Sequence, residues 1–187
     1  MSNRCLTTVN EYEVNKIYLS RLSFDTELEV YKRMTKYPFI PRLLDFHDNM
    51  ITIERIDAPT LFEYVESEGH IPYHFAKSYK YILEKFAENG IYNLSDLRKF
   101  NEHVFIDQIE RSPETKGLRV IDFDVVDIIS KQDPKYNDFV QRNLFSIKKE
   151  FEFIDGNTDS WEIFQDMLYR SGFSESIVYD FKKHMEK

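Results

Sequence analysis

Three side chains mark where chemistry could occur: Asp96 and Asn101 in Asp96-Leu-Arg-Lys-Phe-Asn101, and Asp122 in Ile121-Asp-Phe-Asp124. Carboxylate and amide oxygens suit a hard divalent cation such as Mg2+, which keeps much of its water and takes few protein ligands. Moving a phosphoryl group calls for such ions, a group that orients the attacking hydroxyl, and positive charge beside the phosphates. An Asp in a loop, an Asn five residues later and a second Asp ending an apolar strand can supply these parts. The Asp–Asn spacing carries little weight alone, since Asp138 and Asn143 repeat it inside a helical pattern. Asp and Asn also cap turns without any chemistry.

The elements that must position these residues are legible in outline. Residues 11–22 alternate in part, with Val14, Ile17, Leu19 and Arg21 set against Lys16, Tyr18 and Ser20, as in one or two strands. Ser23 and Asp25 then offer helix caps, Glu27 and Glu29 fill an acidic first turn, and the helix stops before Pro38. A strand over 42–46, a turn at Asp48-Asn49 and a strand over 51–56 follow. Thr60-Leu-Phe-Glu63 has the form of a capping box, and Phe75, Tyr79, Ile82, Leu83 and Phe86 mark one face of a long helix that Gly90 ends. Val104-Phe-Ile and Leu118-Arg-Val-Ile read as two short strands, and helices are expected over 134–153, 159–171 and 174–186.

Taken in order from Glu27 to Asp124, this set resembles the protein-kinase-like superfamily. It looks most like the small atypical kinases, which include lipopolysaccharide kinases, RIO-type kinases and aminoglycoside phosphotransferases. The resemblance implies an α+β, two-lobed protein-kinase-like fold. A reduced N-terminal lobe of strands plus one helix would occupy residues 1–57, and a helical C-terminal lobe residues 58–187. It implies ATP as cofactor with Mg2+ or Mn2+. Asp96 would accept or orient the proton of the acceptor hydroxyl, Lys99 would meet the transferred phosphate, and Asn101 and Asp122 would hold the metal. Glu54-Arg-Ile56 would be the hinge that bonds adenine through its backbone, with Ile53 behind it. Glu27, with Glu29 as competitor, would pair with the third-strand lysine, whose place falls to Lys16 or Arg21.

The chain departs from the family pattern in its upper half. No glycine precedes Gly69, so no glycine-rich loop can approach the phosphates closely. Leu94 stands where the family carries a histidine, and Asp124 where it carries a glycine. A phosphotransferase acting on protein Ser/Thr, a pseudokinase that binds a partner protein without turnover, and an unrelated α+β interaction domain therefore all stay open.

Composition bounds the alternatives. The net charge of −8 argues against a nucleic-acid binder working by broad phosphate neutralisation. One cysteine permits no internal disulfide, and the five histidines lack metal-binding spacing. No apolar run is long enough for a membrane, and the first residues lack the apolar stretch of a signal peptide, so a soluble cytoplasmic protein is expected. Trp161, Phe164 and Leu168 form a helical stripe expected in the core.

Overall fold

The computed structural model describes residues 5–94, 97, 100, 102–107, 109 and 111–185. Strands β1 (Cys5–Val9) and β2 (Glu13–Tyr18) form one hairpin, and β3 (Leu43–His47) and β4 (Met50–Glu54) a second. β2 pairs with β4, which gives an antiparallel sheet in the order β1-β2-β4-β3. Helix α1 (Arg21–Met34) connects the two hairpins.

Three features of this lobe differ from the sequence expectation. The cap of α1 is Ser20, not Ser23 or Asp25. Its extended backbone lets the hydroxyl accept from the Ser23 N–H, so Arg21 is the first helical residue and Glu27 falls in the second turn. In β2 it is Lys16 and Tyr18 that turn inward, Tyr18 being 2% exposed, while aliphatic Ile17 is 41% exposed and Leu19 also lies outside. Polar groups occupy the inner side because α1 supplies a carboxylate, Glu27, to receive them. Strand β1 was not anticipated at all. It is a largely exposed edge strand, and only one face of such a strand needs patterning.

The second lobe begins with α2 (Leu61–Glu68), where the capping box forms as expected. Thr60 Oγ1 accepts from the Glu63 N–H at 3.2 Å, and the Glu63 carboxylate accepts from the Thr60 N–H at 2.8 Å. Helix α3 (Phe75–Glu88) follows, then β5 (Ile91–Tyr92), which pairs with β8 (Asp127–Ile128). Between them lies the hairpin of β6 (Val104–Ile106) and β7 (Leu118–Val120). Helices α4 (Tyr136–Glu150), α5 (Trp161–Arg170) and α6 (Glu175–Met185) complete an α+β, two-lobed fold. No helix among the described residues is long and apolar enough to cross a membrane.

One aromatic-rich core runs through both lobes, with the Trp161, Phe164 and Leu168 stripe inside it. Arg33 ties α1 to the lower lobe. Its guanidinium sits 2.7 Å from Glu29 and donates to the carbonyls of Asn89 at 3.0 Å and Ile129 at 2.8 Å. α1 is thereby held at once to the end of α3 and to the segment after β8.

The β6–β7 hairpin closes at Gly117, where φ is +81° and an added Cβ would fall 2.0 Å from the Asp107 carbonyl oxygen. Gly69 also has a positive φ, but a Cβ there meets nothing within 4 Å. Gly69→Ala is therefore expected to cost only the backbone penalty, about 1 kcal/mol. Gly117→Ala adds a backbone clash and is expected to cost more than about 3 kcal/mol. Urea unfolding of the two variants checks this, and equal losses would contradict it.

Candidate functional site

After β7 the chain turns sharply at Asp122, whose φ of 74° is left-handed. Asp visits this region more readily than most residues, at a cost of order 1 kcal/mol. The turn sends neighbouring side chains in opposite directions. Phe123 enters the core, edge-on to Tyr31 of α1 with ring centroids 5.6 Å apart, and 5.5 Å from Phe86 of α3. Asp122 points to Lys16, its Oδ1 lying 2.9 Å from the Lys16 Nζ.

Lys16 is held from the other side by Glu27, whose two carboxylate oxygens lie 2.7 and 2.8 Å from Nζ. Glu27 is fully buried and also accepts from the Tyr18 hydroxyl. Burial opposes the charge on Lys16. That is the largest single effect, but Glu27, Tyr18, Asp122 and Tyr31 together outweigh it, and the ammonium pKa is held well above its ordinary value. Burial pushes the Tyr18 phenol far up, and the nearby Glu27 carboxylate raises it further.

Lys16 and Asp122 close one end of a cavity of about 400 Å3 between the lobes, with Glu27 buried behind them. Val9 and Val14 line it from the sheet, Ile53 and Ile56 from the end of β4, and Phe105 and Ile121 from the β6–β7 hairpin. The result is a slot with largely apolar walls and one charged end, where Lys16 is paired with two carboxylates.

Glu54 also borders the slot, but its carboxylate belongs to an ion network. Oε2 lies 3.0 Å from Arg119, which is 2% exposed, and accepts from the Arg42 N–H at 3.2 Å. Oε1 lies 3.5 Å from Arg111, and Arg111 and Arg119 both reach Asp107. Burial would raise the Glu54 pKa. The hydrogen bonds from Arg119 and Arg42 and the charges of Arg119 and Arg111 outweigh it, so the group titrates below its ordinary 4.5.

The structure therefore brings Lys16, Glu27, Glu54, Ile56 and Asp122 to one cavity and its charged end. Arg21 is not among them. It opens α1, pairs with Asp25 at 3.0 Å and is largely exposed, because the helix starts at the residue expected to continue the strand. Glu29 pairs with Arg33 instead of the site lysine. Asp96, Lys99 and Asn101 lie outside the described residues.

Sequence reasoning missed three contributors. Tyr18 reads as a strand aromatic, and only its place two residues after Lys16 on the same face signals a role. Arg119 reads as a charge in a short strand, and nothing local marks it as buried. His103 lines the cavity with Nδ1 3.7 Å from the Asp122 Oδ2, although no histidine spacing points to it.

By sequence the chain matches no protein-family model and no curated protein. Solved structures do match. The bifunctional kinase-methyltransferase WbdD aligns over 97% of this chain and 42% of its own, with 13% identity and a TM-score of 0.51. The PK-1 kinase of Cydia pomonella granulovirus aligns over 99% of this chain and 84% of its own (13% identity, TM-score 0.49). The Rio2 kinase of Chaetomium thermophilum aligns over 97% and 68% (15% identity, TM-score 0.48). The WbdD likeness shows that the fold is protein-kinase-like, and the chain spans less than half the length of that protein.

Two predictions follow from the charge arrangement. Glu27→Ala strands a buried ammonium and is expected to cost about 3 kcal/mol, whereas the Lys16→Met, Glu27→Leu double variant should recover part of that loss. Chemical denaturation of the singles and the double reads the coupling, and strictly additive losses would show none. Because the Glu54 pKa is depressed in the fold, its contribution is present above about pH 4.5 and is lost as pH falls through the lower folded value. Glu54→Gln is expected to be less stable at pH 7 and to show a shallower acid limb in Tm measured against pH.

Proposed function

We propose that this chain is a minimal ATP-dependent phosphotransferase of the protein-kinase-like type, acting on protein Ser/Thr hydroxyls in the cytoplasm. The observation that carries this reading is the convergence of Lys16, Glu27 and Asp122, at 2.7 to 2.9 Å, on the charged end of an apolar slot between the lobes. We take the lobes to divide near residue 57.

In this reading the adenine lies between Val14 and Phe105, with Ile53 behind it and the backbone of Glu54 and Ile56 at its edge. Lys16, kept charged by Glu27, turns from Asp122 toward the nucleotide phosphates. The carboxylate of Asp122 suits a divalent cation, and Asn101 would complete the protein's share of its ligands. A bound Mg2+ would neutralise charge on the phosphate oxygens. Asp96 would orient the acceptor hydroxyl, and Lys99 would meet the phosphate in transit.

A second reading, a pseudokinase that binds nucleotide or a partner protein without turnover, is favoured by one feature. The β1–β2 connection over residues 10–12 carries no glycine, so no backbone there is free of a Cβ to close over the phosphates.

Thermal denaturation with ATP and Mg2+ tests both. Nucleotide at a hundred times its Kd should stabilise the chain by about 2.7 kcal/mol. No shift at millimolar nucleotide would refute the phosphotransferase. Where binding is seen, Asp122→Ala is expected to lower phosphate transfer to a protein mixture by roughly 100-fold or more. Binding without any transfer by the native chain would favour the pseudokinase.

A further inference from the structure

His103 stands just before β6 and Ile121 just after β7, and the Ile121 N–H donates to the His103 carbonyl at 3.1 Å. This pairing places its imidazole beside the turn that aims Asp122. The side chain is mostly buried, and Nδ1 has no hydrogen-bond partner among the described residues. A buried ring nitrogen left in that state costs free energy that a partner would return. Nδ1 lies 3.7 Å from the Asp122 Oδ2.

The other ring nitrogen faces a carboxylate. Nε2 lies 3.6 Å from the Glu102 Oε2, beyond hydrogen-bonding length. In the tautomer with the proton on Nε2, Nδ1 presents a lone pair toward Asp122. A lone pair and a carboxylate oxygen side by side form the beginning of a cation site. Two donors about 2.1 Å from one ion lie between roughly 3 Å apart, when adjacent, and roughly 4.2 Å, when opposed. The observed spacing falls inside that range.

We infer that His103 is a metal ligand beside Asp122, and that it biases this site toward a nitrogen-accepting divalent ion, Mn2+, over Mg2+. The inference rests on the nucleotide-site reading above and deepens it. Imidazole is a good ligand for first-row transition ions and a poor one for Mg2+, which selects oxygen. Among the described residues no three acidic, histidine or cysteine side chains meet, so water and phosphate oxygens would fill the rest of the shell. An ion held by so few protein groups takes much of its selectivity from each one.

The test uses the full chain and Mn2+, alone and with ATP. Electron spin-echo spectroscopy of bound Mn2+ should show coupling to one imidazole 14N, absent in His103→Leu. The ratio of Mn2+ to Mg2+ affinity, from competitive titration, should fall about tenfold in His103→Leu. Metal-free Tm confirms that the variant is folded, and His103→Gln replaces it if it is not. Lack of Mn2+ binding by the native chain, lack of 14N coupling, coupling that persists without His103, or an unchanged ratio would each overturn the assignment. Stabilisation of the native chain by Mg2+ and ATP is read separately, so this assignment can fail while the nucleotide reading stands.

Discussion

An ammonium group carried into a protein interior gives up several kcal/mol of hydration, which only close anions can return. Lys16 is such a group, and much of the chain is placed to satisfy it. The β1–β2 hairpin brings the lysine inward, α1 lies across the sheet so that Glu27 can meet it, and the turn after β7 delivers Asp122 from the other lobe. Two of the three contacts lie within the upper lobe and one crosses between lobes. The pair Lys16–Glu27 thus fixes the helix to the sheet, and Asp122 couples that unit to the lower lobe.

The same division appears at the other end of the slot. The Glu54 carboxylate is drawn away into a cluster with Arg119, Arg111 and the backbone of Arg42. Its side chain therefore joins the end of β4 to the β6–β7 hairpin instead of entering the cavity as a free charge. Much of the remaining wall is aliphatic and aromatic, with Arg55, Glu102 and His103 also on the lining. At each end of the slot at least one ion pair crosses between the lobes, Lys16 with Asp122 and Glu54 with Arg119.

Much of this was legible in the sequence where the signal was local. The capping box at Thr60, the stripe of α3, the β3–β4 turn and the last three helices each arise from residues within a few positions of one another. The orientation of β2 was not legible, because period two alone cannot say which side is inward, and Ile17 and Leu19 suggest the wrong answer. Only a partner eleven residues away, Glu27, makes a buried lysine tolerable. The choice between Lys16 and Arg21 stayed open for the same reason, since β2 ends at Tyr18 and Ser20 caps the helix that Arg21 opens. Arg119 and His103 were invisible as site groups, since their partners come from other strands.

Phe123 carries a consequence for how the molecule can move. Its ring is packed between α1 and α3, one peptide bond from the carboxylate that faces the cavity. Ligand-holding segments are commonly drawn from the least stable parts of a protein. Here the segment shares its stability with the central core, so it cannot loosen without disturbing the packing of both lobes. The protein has thereby traded adaptability at this point for preorganisation: whatever enters the slot must fit a carboxylate whose position is set before it arrives.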